Sequence, residues 1–572
     1  DVSQAVFFVW RPARWANWMF EVGSYDQKAN NFTFGRGGFQ GARGNDEGGD
    51  YFVENVFEEW DYPGEFFFNQ STGDLYLAYN GTGTPPADLE IVVPHLQSLI
   101  NVTGTQWDPV KNVTHSGIQF SAAAYTYMNP HGVPSAGDWA LDRIGAVFLE
   151  GTEDVTFDEC TFERLDGNAV MVSGYNRRAT VSNSDFAYIG GNAVAAWGYT
   201  NETEGLNFPV AGVDGTDGNH PEYTTVTGCS GREIGLYEKQ SSFFIQAKTA
   251  LSRVQGNVFF NGPRAGINAN DGFGGGDLIQ KNLVFSTCRE SGDHGPFNSW
   301  DRQPFKTTVR NGNPSMIMQW RDISHNFFID NYSPQENVDN DDGSCYYHTH
   351  HNFLVYGGRG IKNDFGGHDN WHFDNVYAYV GQVAAVTGVI DGHEDHIFNN
   401  YATITGTDFG SSTCSGPTQT VVRNNSYFTS TGKITECGSD LADWQKKGND
   451  PMSTVAAYPD SKTLVARGLS AIHATDPVCR ASEYCCPDAK KCLTPTSFNS
   501  SIVSCSADAN VCESGQTCCP LTKVCVDIGV DCTPPSVCGA GAFCHFETGT
   551  CRTPTNAGVL CDVDSDCGDD IC

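Results

Sequence analysis

Three stretches of this chain concentrate the side chains that could do chemistry. The first, Arg289 to Arg302, carries Glu290, Asp293, His294, Asp301 and Arg302 beside Trp300. Carboxylates and a guanidinium can hold hydroxyl or acid groups while an indole offers a flat apolar surface, a mixture that suits a carbohydrate groove. The plain alternative is a long loop held down by its own ion pairs. The second stretch, Val338 to Phe353, carries Asp339, Asp341, Asp342, His348, His350 and His351. If both project from stacked turns of one scaffold, Asp301 and Asp342 face each other across a groove. One ionised carboxylate raises the pKa of the other, and that split supplies a general acid and a base or nucleophile. Asp293, His294 and the adjacent Asp341–Asp342 pair are further candidates for those roles.

The same acids admit a metal reading. Asp339, Asp341 and Asp342 resemble a hard-cation loop, so a structural calcium competes with catalysis, although the downstream bidentate Glu of an EF-hand is missing. Carboxylate chemistry itself requires no cofactor. The third stretch, Tyr356 to Phe373, offers Arg359, Lys362, Asp364, His368, Asp369 and Trp371. Arg359 and Lys362 near acids fit recognition of a uronic or sulfated sugar, with His368 and Trp371 as further substrate contacts. His348, His350 and His351 alternate as a strand would, so only some share a face, and a wall histidine is more often hydrogen-bonded than a zinc ligand.

What must position these residues is a repeat. Asn257, Asn282, Asn326, Asn352, Asn375, Asn400 and Asn425 recur at steps of 23 to 26 residues, and the one long step, Asn282 to Asn326, spans the first chemical loop. Upstream, VTFDECTFERLDGNAV lies over ATVSNSDFAYIGGNAV at an offset of 24. A fixed period, short β-branched strands and glycine at corners are the pattern of a parallel β-helix, with stacked asparagines satisfying one another at a bend. Roughly ten coils would fill residues 113–430, on the order of 50 Å of axis. Insertions at Gly198 to Tyr223, Glu290 to Trp320 and Asp330 to Ser344 are expected to wall one groove. The glycine-rich RAGINANDGFGGGD is expected to be a coil corner and groove floor, since no helix follows it to bind phosphate.

The flanks divide the chain further. Residues 1–112 are aromatic and glycine-rich, with a hairpin over Glu65 to Asn80, and are expected to cap an open solenoid end. Residues 431–478 read as a closing segment. Of 22 cysteines, 16 fall in residues 479–572, where CRASEYCCPDAKKC and CESGQTCCPLTKVC share one spacing. Such density denotes small disulfide modules and an oxidising compartment, which makes zinc the weaker reading.

Thirty-four basic and 68 acidic side chains leave a net charge of −34, which opposes nucleic acid and acidic membranes. Nine N-glycosylation sequons, at Asn31, Asn69, Asn80, Asn101, Asn112, Asn201, Asn331, Asn424 and Asn499, point with the disulfides to a secreted or cell-surface glycoprotein. With no leader-like opening and no long apolar run, Asp1 is expected to follow a removed signal, and no membrane span is expected.

The run from Val113 to Ser430 resembles the right-handed, single-stranded parallel β-helix of the pectin-lyase-like superfamily. More narrowly, residues 49–77, VPSAGDW, NDGFGGG and RESGDHGPFNSWDRQPF are similar to secreted proteins akin to glycoside hydrolase family 141, a likeness covering about residues 1–430. It implies an all-β fold and action by acidic residues on fucose- or xylose-containing plant and algal glycans. RGIK and GGH are also similar to polygalacturonase motifs, but here the histidine follows the Arg–Lys element, which argues against pectin hydrolysis. The leading expectation is a glycoside hydrolase acting on extracellular or cell-wall polysaccharide or glycoprotein glycans, ahead of a polysaccharide lyase. The rival is a non-catalytic structural or adhesive subunit that self-assembles or meets a partner through its cysteine-rich tail.

Overall fold

The computed structural model describes residues 2–38, 48–131, 141–199, 215–270, 274–300, 319–332, 335–364, 366–411 and 420–473, together with three short hairpins in the tail. Residues 1–472 form one unit and residues 473–572 another.

The first unit is a parallel β-helix with three faces. The first face runs from Ile100–Thr103 through Phe297–Trp300, Glu336–Asp341 and Arg359–Asn363 to Gly410–Ser411, and the second from Val110–Ser116 through Tyr347–His350 and Trp371–Phe373 to Val421–Arg423. The third face is a 12-stranded sheet from Gln119–Ala123 to Thr454–Ala457. The helix therefore begins near residue 100 rather than 113 and gains a rung beyond 430. Its first coil lacks the asparagine marker, and its last rung returns only after an excursion, so neither was visible in the repeat.

Inward residues meet their counterparts one coil away. Phe120, Phe162 and Phe186 stack at 4.9 and 4.7 Å between ring centroids, and Phe297, Val338 and Ile361 share one register within the core. Parallel stacking at about 4.8 Å places like on like, so shape-matched rings fill the interior without voids.

The expected asparagine ladder is present at the corner between the second and third faces. In each step the Oδ1 of one asparagine accepts from both the backbone N and the Nδ2 of the asparagine before it, as Asn352 Oδ1 does from Asn326 at 2.9 and 3.0 Å. Each Nδ2 also donates to a core carbonyl, such as Asn352 to Ile323 O at 2.7 Å. The residue before each asparagine is left-handed: Gly256, Lys281, His325, His351, Asp374, Asn399 and Asn424 have φ between 52° and 66°. Glycine, asparagine, aspartate and histidine tolerate that conformation best, which accounts for most of this column. It also fixes His325 and His351 as stacked corner residues, 5.3 Å ring to ring. A shorter second stack, Asn168 to Asn192, serves the corner between the third and first faces.

The N-terminal segment forms an antiparallel sheet of Asn31–Gly37, Asn17–Asp26, Val6–Trp10 and Tyr51–Glu54. Its core residues Phe8, Trp10 and Met19 pack on Met128, Tyr127 stacks on Tyr237 at 5.4 Å, and Gly292 N donates to Arg14 O at 3.2 Å. Tyr127, Tyr237 and Gly292 belong to corners of different coils between the third and first faces. These contacts run along the flank of the helix and not across an end as expected. The hairpin Phe66–Asn69 with Asp74–Leu77 is as expected.

Helix α1 (Leu441–Lys446) and helix α2 (Ser461–Ala471) belong to the closing segment. Asp460 caps α2 by accepting from Thr463 N at 3.0 Å, and Leu464 packs with Phe353, Val376 and Ala378 outside the third face. Gly468 permits this approach, since a Cβ there would lie 2.5 Å from the Phe353 ring. In the second unit, three hairpins pair Cys485 with Cys492, Cys518 with Cys525 and Cys544 with Cys551 across their strands. These three strand pairs thus repeat one antiparallel register. Before the tail, Cys160, Cys229, Cys288 and Cys345 are buried and outside disulfides, whereas Cys437 is disulfide-bonded.

Replacing Asn352 by Ala strands a backbone N–H and an amide below it and removes a donor to the core. A loss of about 3 kcal/mol is expected. Asn424→Ala, which removes an exposed amide bonded to Asn399 Oδ1 at 2.8 Å and puts alanine at a left-handed φ of 53°, should cost about 1 kcal/mol. Denaturation of the two variants side by side checks this, and equal losses would remove the ladder from its supporting role.

Candidate active site

The site lies on the outward side of the first face. In one row across consecutive strands stand Ile245, Asn268, Asn298, Asp339, Lys362 and Ala385. A second row carries Ala247, Asn270, Trp300 and Asp341. All of these positions are buried although they point away from the helix core. The first two expected insertions follow Val194–Trp197 and Phe297–Trp300, strands of this face, and most of their residues lie outside the described ones. The third, Asp330 to Ser344, is not an insertion: Glu336–Asp341 within it is itself a strand of the first face.

Lys362 is the centre of the arrangement. Its Nζ lies 3.1 Å from Asp341 Oδ1, 3.2 Å from Asp293 Oδ1, 3.3 Å from Asp339 Oδ1 and 3.6 Å from Asp364 Oδ2. Burial alone would lower the ammonium's pKa, but Asp339, Asp341, Asp293 and Asp364 overcome it and hold the lysine charged. The positions follow from register: Asp339 and Lys362 are paired in neighbouring strands, and Asp364 comes 23 residues, one coil, after Asp341.

More acid than base is gathered here. Glu336, fully buried, meets Arg359 Nη1 at 2.6 Å, so five carboxyl groups surround two cations. Some must keep their protons. Burial, and then the neighbouring Asp341 charge, push the Asp364 carboxyl up to about 8, and burial raises Asp339 and Glu336 as well. The Asp342 backbone N donates to Asp341 Oδ1 and to Asp364 Oδ1, both at 3.0 Å, tying the pair together. Asp293 is the most solvent-accessible of the four carboxylates on Lys362, its side chain 38% exposed. Solvent therefore reaches the cluster from its side. Along the floor, Asn298 Nδ2 donates to Asp339 Oδ2 at 2.7 Å, while Asn298 Oδ1 and Asn268 Nδ2 are buried with no partner among the described residues. These two atoms can hydrogen-bond a polar ligand.

Of the expected site residues, Asp293, Asp341 and Asp342 come together. Asp301 and Arg302 lie outside the described residues. Trp300 is not an exposed platform: it is 2% exposed, packs with Leu141, Met171 and Trp197, and donates from Nε1 to Asp342 Oδ2 at 2.9 Å. Its strand position turns it onto the covered face, where it orients Asp342 instead. His294 is also removed from the cluster, buried with Nε2 2.8 Å from Arg264 Nη2 and Nδ1 3.2 Å from Ser291 Oγ. Lys362, engaged by four carboxylates, is not available to grip a substrate acid.

Arg359 remains at a surface, lining a cleft of about 460 Å³ with Gln335, Gly358, Gly381, Gln382, Thr405 and Gly406. Trp371 sits on the second face between His348 and His396, at 5.3 and 4.9 Å, so both ring faces are occupied. It offers solvent an edge, not the flat surface a sugar needs. His368 pairs with Asp369 at a corner. Of the acids in the calcium reading, Asp339 meets the Lys362 ammonium at 3.3 Å, whereas Asp341 and Asp342 stay beside each other. Asp341, Asp342 and Asp364 are the acids close enough to share a cation. Asp364 was not singled out as catalytic from sequence, although adding one coil to Asp341 reaches it.

No protein-family model and no curated protein matches this chain. Solved structures similar to it include one titled glycoside hydrolase, at 15% identity and a TM-score of 0.47 over 70% of this chain and 68% of that one. A complex of XylC with xylose matches at 11% identity and 0.33, over 63% and 54%. PfbA, a surface adhesin of Streptococcus pneumoniae, matches at 13% and 0.21, over 64% and 77%. At such distances the chemistry must be read from this chain's own residues.

Proton retention gives the site a pH signature. A carboxyl whose folded pKa lies above its unfolded value near 4 stabilises the fold most below that value, and loses the contribution as pH rises through the folded pKa. Asp364 at about 8 and Asp395 at about 7, both raised chiefly by burial, place that loss between pH 4 and 8. The unfolding temperature is expected to fall over this window, and Asp364→Asn should flatten the fall. Parallel curves for wild type and variant would contradict a protonated Asp364.

Proposed function

We propose that this chain is a secreted glycan-active enzyme, a glycoside hydrolase working by two carboxylates on extracellular or cell-wall polysaccharide. The observation that carries the reading is the Lys362 ammonium touched by four carboxylates from three consecutive coils on one outward face. Asp364 holds a proton at neutral pH and is placed to give it to the glycosidic oxygen. Asp293, the open member of the set, attacks the sugar or activates water, with Asp301 as the other candidate for that part. Asp341 receives the Asp364 hydrogen bond, Asp342 is held by Trp300, and Lys362 offsets the negative charge of the cluster. Arg359 and the buried amides of Asn268 and Asn298 bind sugar hydroxyl or acid groups.

The resemblance to glycoside hydrolase family 141 supports fucose- or xylose-containing plant and algal glycans as the substrates to try first. Reducing-end release from a panel of such polysaccharides is the measurement. Asp364→Asn and Asp293→Asn should each lose at least about 100-fold in kcat with the fold intact, the scale of a lost acid or base. Unsaturated products would mean a lyase. Equal release by wild type and both variants, or no release from any glycan, would remove the catalytic assignment and leave a non-catalytic surface protein.

Secretion is supported by sequon exposure: Asn31, Asn80, Asn101, Asn112, Asn331 and Asn424 are exposed, and Asn69 is partly covered. Protein from a eukaryotic secretory host should lose several glycan masses on enzymatic deglycosylation. An unchanged mass would count against that compartment.

A further inference from the structure

We propose that His368, Asp369 and His393 form a site for a borderline divalent metal such as zinc, at the corner between the first and second faces. His368 and Asp369 lie on the corner of one coil and His393 on the corner of the next. A tight turn through Asp391 and Gly392, with Gly392 at φ 78° and His393 N donating to Ile390 O at 3.1 Å, folds His393 back over the earlier coil. The two imidazoles come within 5.1 Å, ring to ring.

Both Nδ1 atoms converge on one oxygen, Asp369 Oδ2, at 2.8 and 2.7 Å. The three donor atoms all lie within 4.8 Å of one another. Two nitrogens and one oxygen suit zinc and its first-row neighbours, whereas the all-carboxylate cluster around Asp364 suits a hard cation. Side-chain exposures of 10% for His368, 22% for Asp369 and 43% for His393 leave one side open to water, as in three-ligand zinc sites.

The donors are held before any metal arrives. His368 N donates to Ser344 O at 3.3 Å, its backbone bridges to Cys345, and Tyr346 packs edge-on against its ring at 5.2 Å. Without metal, Asp369 Oδ2 accepts from the ring N–H of both histidines. Binding needs each neutral imidazole to carry its proton on Nε2 instead of Nδ1, a change of tautomer. The metal then clips two successive coils together at a corner where the asparagine ladder does not run.

The test uses the full chain with its disulfides intact, stripped with chelator and titrated with zinc chloride by calorimetry and with cobalt chloride by visible absorption. Wild type should take up one equivalent, show cobalt d–d bands and gain unfolding temperature with zinc. His393→Ala and Asp369→Asn should lose that equivalent and that gain, while His351→Ala and Asp341→Asn retain both. His393 lies on a partly exposed turn, so its variant should fold normally without metal, which the unfolding temperature in chelator verifies. The proposal is overturned if wild type binds no metal, if His393→Ala binds as well as wild type, or if Asp341→Asn is the variant that loses it.

Discussion

Every coil of a parallel β-helix must bend at its corners, and each bend turns backbone N–H groups along the axis where no strand receives them. The asparagine stack solves this by giving each such N–H a side-chain oxygen from the next coil, while its own amide closes onto a core carbonyl. Buried polar groups are tolerated only when paired, so an asparagine recurs at this place through seven successive coils, and beyond them the Oγ of Ser184 and of Ser453 accepts the corner N–H instead. The register of the whole helix is thereby pinned. The 44-residue step from Asn282 to Asn326 joins the same column as the 25-residue steps, with both bonds at 3.0 Å.

A pinned register stacks like on like everywhere, with opposite consequences inside and outside. Within the core, phenylalanines meet face to face and gain contact. On the first face, acids from successive coils are brought together about one strand spacing apart, where two bare charges in a covered site would repel strongly. Two devices relieve this. Lys362 places one positive charge among four carboxylates, and burial pushes the Asp364 carboxyl up to about 8 and raises Asp339 as well. The shifted carboxyl of Asp364 is thus a product of crowding, not of a separate feature of the sequence.

The sequence made the fold legible because its signals are local and repeated: one asparagine per coil, preceded by a residue that accepts a left-handed backbone. The candidate site was legible only in part. Asp293, Asp341 and Asp342 could be named, but Trp300 was read as a neighbour on an open surface when its strand turns it onto a covered one. Trp371 was read as a free ring, although His348 and His396 lie 23 and 25 residues away, at the distance that stacks them on it. Asp364 was passed over for the same reason: contact in a solenoid is made across one coil, so linear adjacency is the wrong measure. The flanking N-terminal sheet was out of reach, because nothing in a repeat says which side a non-repeating segment will cover.

Whether a buried cluster of charge serves stability or chemistry can be argued from its row. The outward row runs Ile245, Asn268, Asn298, Asp339, Lys362 and Ala385, with an apolar residue at each end. Those ends show that the fold accepts an apolar side chain in this row. A buried ion pair is seldom more stabilising than well-packed apolar groups of similar volume, so the polar middle is not what stability alone would select. Asn298 and Asn268 each bond through one end of the amide, to Asp339 and from Asn270, but the other end has no partner among the described residues, which costs stability further. Groups that are expensive to bury, shifted in pKa and left with open hydrogen-bonding capacity mark a place where a polar ligand completes the structure.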